Sequence, residues 1–194
     1  MRCGWRGSWC AVTLAVVAGG FVTWAGARVD GARPGARLTV VKPHVYVSLQ
    51  PVPRGREFQI AVVADIDSEY HMNSHKPTDA YLIPTTLTPA LPKDFELVDT
   101  LYPDGRLEKF SFSPNKPLNV YSGSVTLKLV VRAKESAELG EAKIPMTLRY
   151  QACNETTCLP PAKLPLEAEF QVAPDGTAAR EVHTEIFAAL HNLR

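Results

Sequence analysis

Two cysteines with four residues between them, Cys153 and Cys158 in "LRYQACNETTCLPPAKLPL" (residues 148–166), are the side chains best suited to chemistry. Such a pair can serve as a structural staple, as half of a soft-metal clip or as a redox centre. As a staple, so small a ring would contribute only about 2 kcal/mol through loop-closure entropy, less than a bridge between distant strands. A metal site needs further ligands, and "EYHMNSHKP" offers His71, Met72 and His75, whose imidazole and thioether groups together with thiolates suit copper or zinc. Thioredoxin-type nucleophilic catalysis uses Cys-x-x-Cys at a helix N-terminus, where the dipole lowers the thiol pKa. Here the spacing is Cys-x-x-x-x-Cys, Pro160 and Pro161 keep the following chain extended, and Glu155 would raise a neighbouring thiol's pKa. Redox work at this pair therefore means being attacked: a partner supplies the activated thiolate and the disulfide accepts it. Asn154-Glu155-Thr156 also matches a glycosylation sequon, but a glycan there would block the loop, and the match reads as chance.

The elements that must hold the pair are strands. "LTVVKPHVYVSLQ", "EFQIAVVADI", "YLIPTTLTP", "FELVDTLY", "LNVYSGSVTLKLVVRAK", "KIPMTLRYQA" and "KLPLEAEFQV" are short runs rich in β-branched and aromatic residues. Several alternate apolar with polar, and Pro, Gly, Asn and Asp separate them, which predicts an all-β antiparallel sandwich over residues 38–173. The runs ending at Ala152 and starting at Lys163 put the cysteines at the mouth of a hairpin. At the end of the chain, Val182, Ile186, Leu190 and Leu193 recur at helical spacing after Asp175 and Thr177, predicting a C-terminal amphipathic helix within residues 174–194 that packs on the sandwich.

The N-terminus carries Arg2 and Arg6, an apolar run from Cys10 to Trp24 and a small-residue ending at Ala25 to Ala27, the layout of a secretory signal over residues 1–27. Together, from Cys10 to Ala27, these are 18 residues, so an uncleaved copy would just reach bilayer length and act as an anchor. Residues 28–37 read as a flexible leader. Cleavage would remove Cys3 and Cys10 together with two of the 21 basic residues, leaving 19 basic against 20 acidic side chains. A near-neutral balance argues against nucleic acid as the main partner, and nothing in it calls for more than a monomer. Export also brings an oxidising compartment, in which a close cysteine pair tends to be oxidised unless something reduces it.

These residues resemble the N-terminal, exported domain of the DsbD-type protein-disulfide reductases. "YQACNETTCLPP" is similar to that domain's Tyr-Gln-x-Cys…Cys-x-Pro-Pro hairpin. "IDSEYHMNSHKPTDAYLIPTTL" resembles the segment that lines the cysteines, and "YPDGRLEKFSFSPNKPLNVYSGSVTL" the cap-loop region and the strand after it. The resemblance implies an immunoglobulin-like sandwich with Cys153 and Cys158 as the redox pair, the latter attacked first. Phe110, with Phe112 second, matches the cap-loop aromatic that shields the pair, and Glu108 takes the place of an acidic residue beside the cap, while Lys109 departs from the family's acidic pair. Tyr70, His71 and Met72 fall where the family lines its site, His71 and Asn73 standing where better-known members carry aromatics. Without the resemblance, Phe110, Phe112 and Tyr70 would read as ordinary core aromatics.

The function implied is that of a protein-disulfide reductase component, free of cofactor and metal. It would relay electrons from a thioredoxin-like domain or a membrane thiol conduit to exported disulfide proteins, cytochrome c maturation among the processes served. The full-length reductases continue into that conduit, so the expectation is a free-standing version with a separate membrane partner. The rivals are a non-catalytic immunoglobulin-like binding domain with a stapled hairpin, and copper or zinc handling.

Overall fold

Alternation of apolar and polar side chains becomes paired sheets in the structure, a computed structural model that describes residues 39–188. The strands are β1 (Val41–Val47), β2 (Leu49–Gln50), β3 (Val52–Pro53), β4 (Glu57–Ile66), β5 (His71–Asn73), β6 (Thr86–Pro89) and β7 (Phe95–Leu101), then β8 (Arg106–Phe110), β9 (Ser113–Tyr121), β10 (Ser124–Ala133), β11 (Gly140–Tyr150), β12 (Ala152–Cys153), β13 (Ala162–Ala173) and β14 (Arg180–Glu181). One sheet has the order β1-β4-β10-β7 and a second β3-β13-β11-β6. Every pairing within them is antiparallel except the short β3–β13 contact.

The core lies between these two sheets because each presents one apolar face. On β4 and β10 the register sets Val62 opposite Leu127, Ile60 opposite Leu129 and Phe58 opposite Val131, all buried. From the other sheet Ile144, Met146, Leu148 and Tyr150 of β11 are buried in the same cluster. Phe58 and Phe95 of the first sheet meet Phe170 of the second, with ring centroids 4.9 Å and 5.4 Å from it, so aromatic edges bridge the layers. The outward positions are charged: Lys143 on β11 pairs with Glu167 at 2.9 Å and with Glu169, both on β13.

A third sheet, β12-β5-β9-β8, is built from continuations of the other two. β9 runs into β10 through Ser122 and Gly123, the latter at φ +72°, and β11 runs through Gln151 into β12. This sheet has its own small apolar cluster of Phe110, Leu118 and Val120, with Leu82 against it.

The C-terminal segment differs from the expected helix over residues 174–194. Residues 174–177 form a turn closed by a hydrogen bond from the Thr177 N–H to the Pro174 carbonyl, and β14 pairs with β2. The helix, α1, spans Thr184–Ala188 and buries no residue; the helical positions at Leu190 and Leu193 lie outside the described residues. The physical reason is backbone pairing: the Val182 N–H donates to the Ser48 carbonyl at 3.0 Å, which holds the chain extended up to His183. The helix does lie on the sandwich: Lys128, on the outer face of β10 and buried, donates to the Phe187 carbonyl at 2.6 Å. Burial lowers the Lys128 pKa from the ordinary lysine range.

Truncation in the inter-sheet layer should therefore be costly and truncation on the charged face mild. Leu129→Ala is expected to lower stability by about 2–5 kcal/mol in urea unfolding, whereas Lys143→Ala should leave the midpoint nearly unchanged, exposed ion pairs contributing little.

Candidate redox site

Cys153 and Cys158 are joined by a disulfide, and their Cα atoms lie 3.9 Å apart across an isolated antiparallel bridge. The intervening loop is closed by Asn154. Its Oδ1 accepts from the Thr156 and Thr157 backbone N–H groups, at 3.0 Å and 2.9 Å, and its own N–H donates to the Thr157 carbonyl. This is the local turn chemistry that short Asn side chains favour, and it accounts structurally for the asparagine of the sequon. Beyond the loop the Leu159 N–H donates to the Ala152 carbonyl and the Gln151 amide donates to the Leu159 carbonyl, locking the base of the hairpin.

The two sulfurs occupy unequal environments. Cys153 is buried and Cys158 is exposed. The difference follows from the pairing of β12 with β5, which sets Cys153 opposite His71 and Ala152 opposite Met72. Because side chains alternate across a strand, Cys153 and His71 share one face and Ala152 and Met72 the other. Ala152 and Met72 enter the main core.

On the cysteine side, the His71 ring stacks on Phe110, centroids 4.0 Å apart, and Phe110 stacks on Phe112 at 5.4 Å. Phe110 is buried while Phe112 is half exposed, so the stack runs from the interior to the surface. Phe110 ends β8, Ser113 begins β9, and the two face each other across a tight turn whose tip is Ser111 and Phe112. The Ser111 hydroxyl donates to the Glu155 carbonyl at 3.0 Å, tying this tip to the cysteine loop. Glu108, one turn of the pleat before Phe110, accepts from the Ser122 hydroxyl at 3.2 Å.

His71 is the titratable group of this face with a displaced pKa. Burial lowers it from the ordinary histidine value, opposed by the carboxylates of Glu108 and Glu155, so the ring is neutral at neutral pH. Its Nε2 is buried without a hydrogen-bond partner.

The structure thus gathers Cys153, Cys158, His71, Phe110, Phe112 and Glu108 at one face. Met72 is fully buried in the main core instead, and Tyr70 packs half-buried against that same core. His75, a candidate soft-metal ligand, stacks on Tyr102 with centroids 3.6 Å apart and lines a pocket with Tyr121 and Asn119 that neither cysteine borders. Ser111 and Asn154 are site residues that the sequence alone does not single out; the Asn-x-Thr-Thr run is a turn signal, whereas nothing local marks Ser111.

An all-β antiparallel sandwich carrying a half-exposed hairpin disulfide under a stacked aromatic cap defines a thiol-disulfide exchange module. The chain belongs to the family described as thiol:disulfide interchange protein DsbD, N-terminal, whose sequence model matches residues 37–169. Its all-β, antiparallel sandwich is the fold class that the strand pattern implied. Among solved structures it is similar to the N-terminal domain of Neisseria meningitidis DsbD in the reduced form, at 16% identity over 71% of this chain and 89% of that one, with a TM-score of 0.40. It is also similar to AggA, the major subunit of aggregative adherence fimbriae type I from Escherichia coli, at 9% identity over 68% of this chain and 96% of that one, with a TM-score of 0.28. A comparison with curated proteins finds no match.

Unequal exposure predicts unequal reactivity once the bond is opened. After reduction, iodoacetamide should alkylate Cys158 ahead of Cys153, as read by peptide mass spectrometry over a time course; equal labelling would mean that burial of Cys153 does not persist in the dithiol.

Proposed function

We propose that this chain is an exported electron relay, working in the bacterial periplasm, that takes two electrons from a thioredoxin-like domain or a membrane thiol conduit and delivers them to exported disulfide proteins. The observation that carries the reading is the asymmetry of the pair, one sulfur open to a partner and the other held under the cap. A donor thiolate attacks Cys158 Sγ, the intramolecular S–S bond breaks, and Cys153 Sγ leaves with the electron pair. The donor's second thiolate then attacks its own sulfur in the mixed disulfide and releases Cys158, so the donor is oxidised and the pair becomes a dithiol. The reverse sequence on a client disulfide reduces the client and restores the Cys153–Cys158 bond.

The signal-like N-terminus supports export, with cleavage after Ala27 or retention as an anchor as the two outcomes; residues 1–38 lie outside the described residues. Among the described residues no helix is long and apolar enough to cross a membrane. Delivery toward cytochrome c maturation is one destination consistent with the family. A purely structural staple would bury its bridge, and the exposure of Cys158 speaks against that reading. Copper or zinc handling loses two of its three proposed extra ligands, since Met72 and His75 sit away from the pair.

Trapping tests the relay. The Cys153→Ala variant, with Cys158 first converted to its mixed disulfide with thionitrobenzoate by Ellman's reagent, should exchange with the thiolate of a thioredoxin-like domain that lacks its own resolving cysteine, releasing thionitrobenzoate and leaving a protein–protein disulfide visible as a mass shift on a non-reducing gel. Cys158→Ala should form far less, and an absence of adduct with either variant would contradict the proposal.

A further inference from the structure

Each time the pair hands electrons to a client, the buried cysteine has to become a thiolate, and its surroundings oppose that. Cys153 is almost wholly buried, and burial in apolar surroundings raises a thiol pKa. The nearby carboxylates, Glu155 in the cysteine loop and Glu108 on β8, are of the same sign as a thiolate and disfavour it further. Among the described residues the helix is α1, which lies on the outer face of β10 and lends the pair no dipole. This setting does not favour the thiolate that must resolve a mixed disulfide.

The residue opposite Cys153 in the β12–β5 register is His71, so the two side chains stand on one face at the Cβ separation of a directly opposed pair, about 4.5–5.5 Å. The imidazole is held by its stack on Phe110. Its Nε2 is buried and makes no hydrogen bond, a cost that a purely structural ring such as phenylalanine would avoid.

We propose that His71 is the proton acceptor for Cys153 during thiol-disulfide exchange. The inference rests on the relay reading above and assigns one of its proton transfers. When Cys158 is bonded to a client sulfur, the Cys153 thiol gives its proton to Nε2 and the resulting thiolate attacks Cys158 Sγ. The Cys158–client bond breaks, and the client sulfur leaves with the electron pair and takes a proton from the imidazolium or from water. When a donor reduces the pair, the same path runs backward: the imidazole takes up a proton from the donor thiol or from water, Cys153 leaves as a thiolate, and the imidazolium gives it that proton. Glu108 and Glu155, the charged groups acting on the ring, stabilise its transient positive charge, while burial keeps it neutral at rest and therefore able to accept.

The test uses the reduced protein with dithiodipyridine, which releases one coloured thione when Cys158 attacks and a second when Cys153 resolves the adduct, both followed by stopped flow from mildly acidic to alkaline pH. His71→Phe keeps an aromatic ring for the stack and removes the acceptor. The second phase should slow by about 100-fold at neutral pH, the lower end of what a positioned base contributes, and should then climb with pH through the range of an unassisted thiol, with the first phase unchanged. Should this variant lose its fold by near-ultraviolet circular dichroism, His71→Gln serves, since an amide can accept a hydrogen bond but cannot take up the proton, and the same slowing is expected. A second phase of wild-type rate and pH profile in a folded variant overturns the assignment while leaving the relay standing. A wild-type protein that releases no second thione overturns the relay reading itself.

Discussion

The site depends on a two-residue backbone pairing, Cys153 with His71 and Ala152 with Met72. With a side-chain period of two, this register divides four residues between two environments. Ala152 and Met72 anchor the segment in the main core, and Cys153 and His71 are thereby turned toward the aromatic cap. A slip of one residue would exchange the two sets, sending the sulfur into the inter-sheet core and the methionine under Phe110. The anchoring is cooperative with the rest of the fold, because β12 continues β11 and β5 pairs with β9, which continues into β10. Packing between the two large sheets is thus transmitted to the position of one sulfur.

Around that anchor the site separates access from protection. Cys158 lies at the exposed limb of the loop, whereas Cys153 lies under a stack in which only Phe112, the outermost ring, reaches solvent to any extent. The cap is attached to what it covers through the Ser111 hydroxyl and the Glu155 carbonyl, a single exposed hydrogen bond of about 0.5–1.5 kcal/mol net. A contact of that size can be exchanged for contacts with an incoming protein, so a partner can displace the turn without unfolding the sheet beneath. The acidic groups nearby do not favour a thiolate, which leaves thiol activation to the partner and to the imidazole.

Much of this architecture is readable from local patterns. The alternation in residues 57–66 and 124–133 corresponds to β4 and β10, and the proline-flanked cysteines do form a hairpin. What escapes is whatever depends on which strand lies beside which. Phe110 and Phe112 look alike in "EKFSF", yet one ends a strand as a buried cap and the other sits half exposed at the tip of the turn that follows. His71 and Met72 are neighbours in sequence but face opposite sides of a strand only three residues long, too short to show alternation by itself. Ser111 acquires its role from a loop 44 residues away. At the C-terminus, a helical spacing of apolar residues competes with an edge-strand pairing to β2, and the pairing takes the first part of the segment.

The central claim, that this disulfide is an exchanging pair held in an orienting frame, is tested most directly by its reduction potential. The mature domain would be equilibrated in graded glutathione or dithiothreitol buffers and the free thiols counted by mass shift. The relay requires a value between a thioredoxin-like donor and oxidised exported clients, roughly −270 to −120 mV. A value well below about −300 mV would mark a structural bond resistant to the reducing pool and would contradict the account.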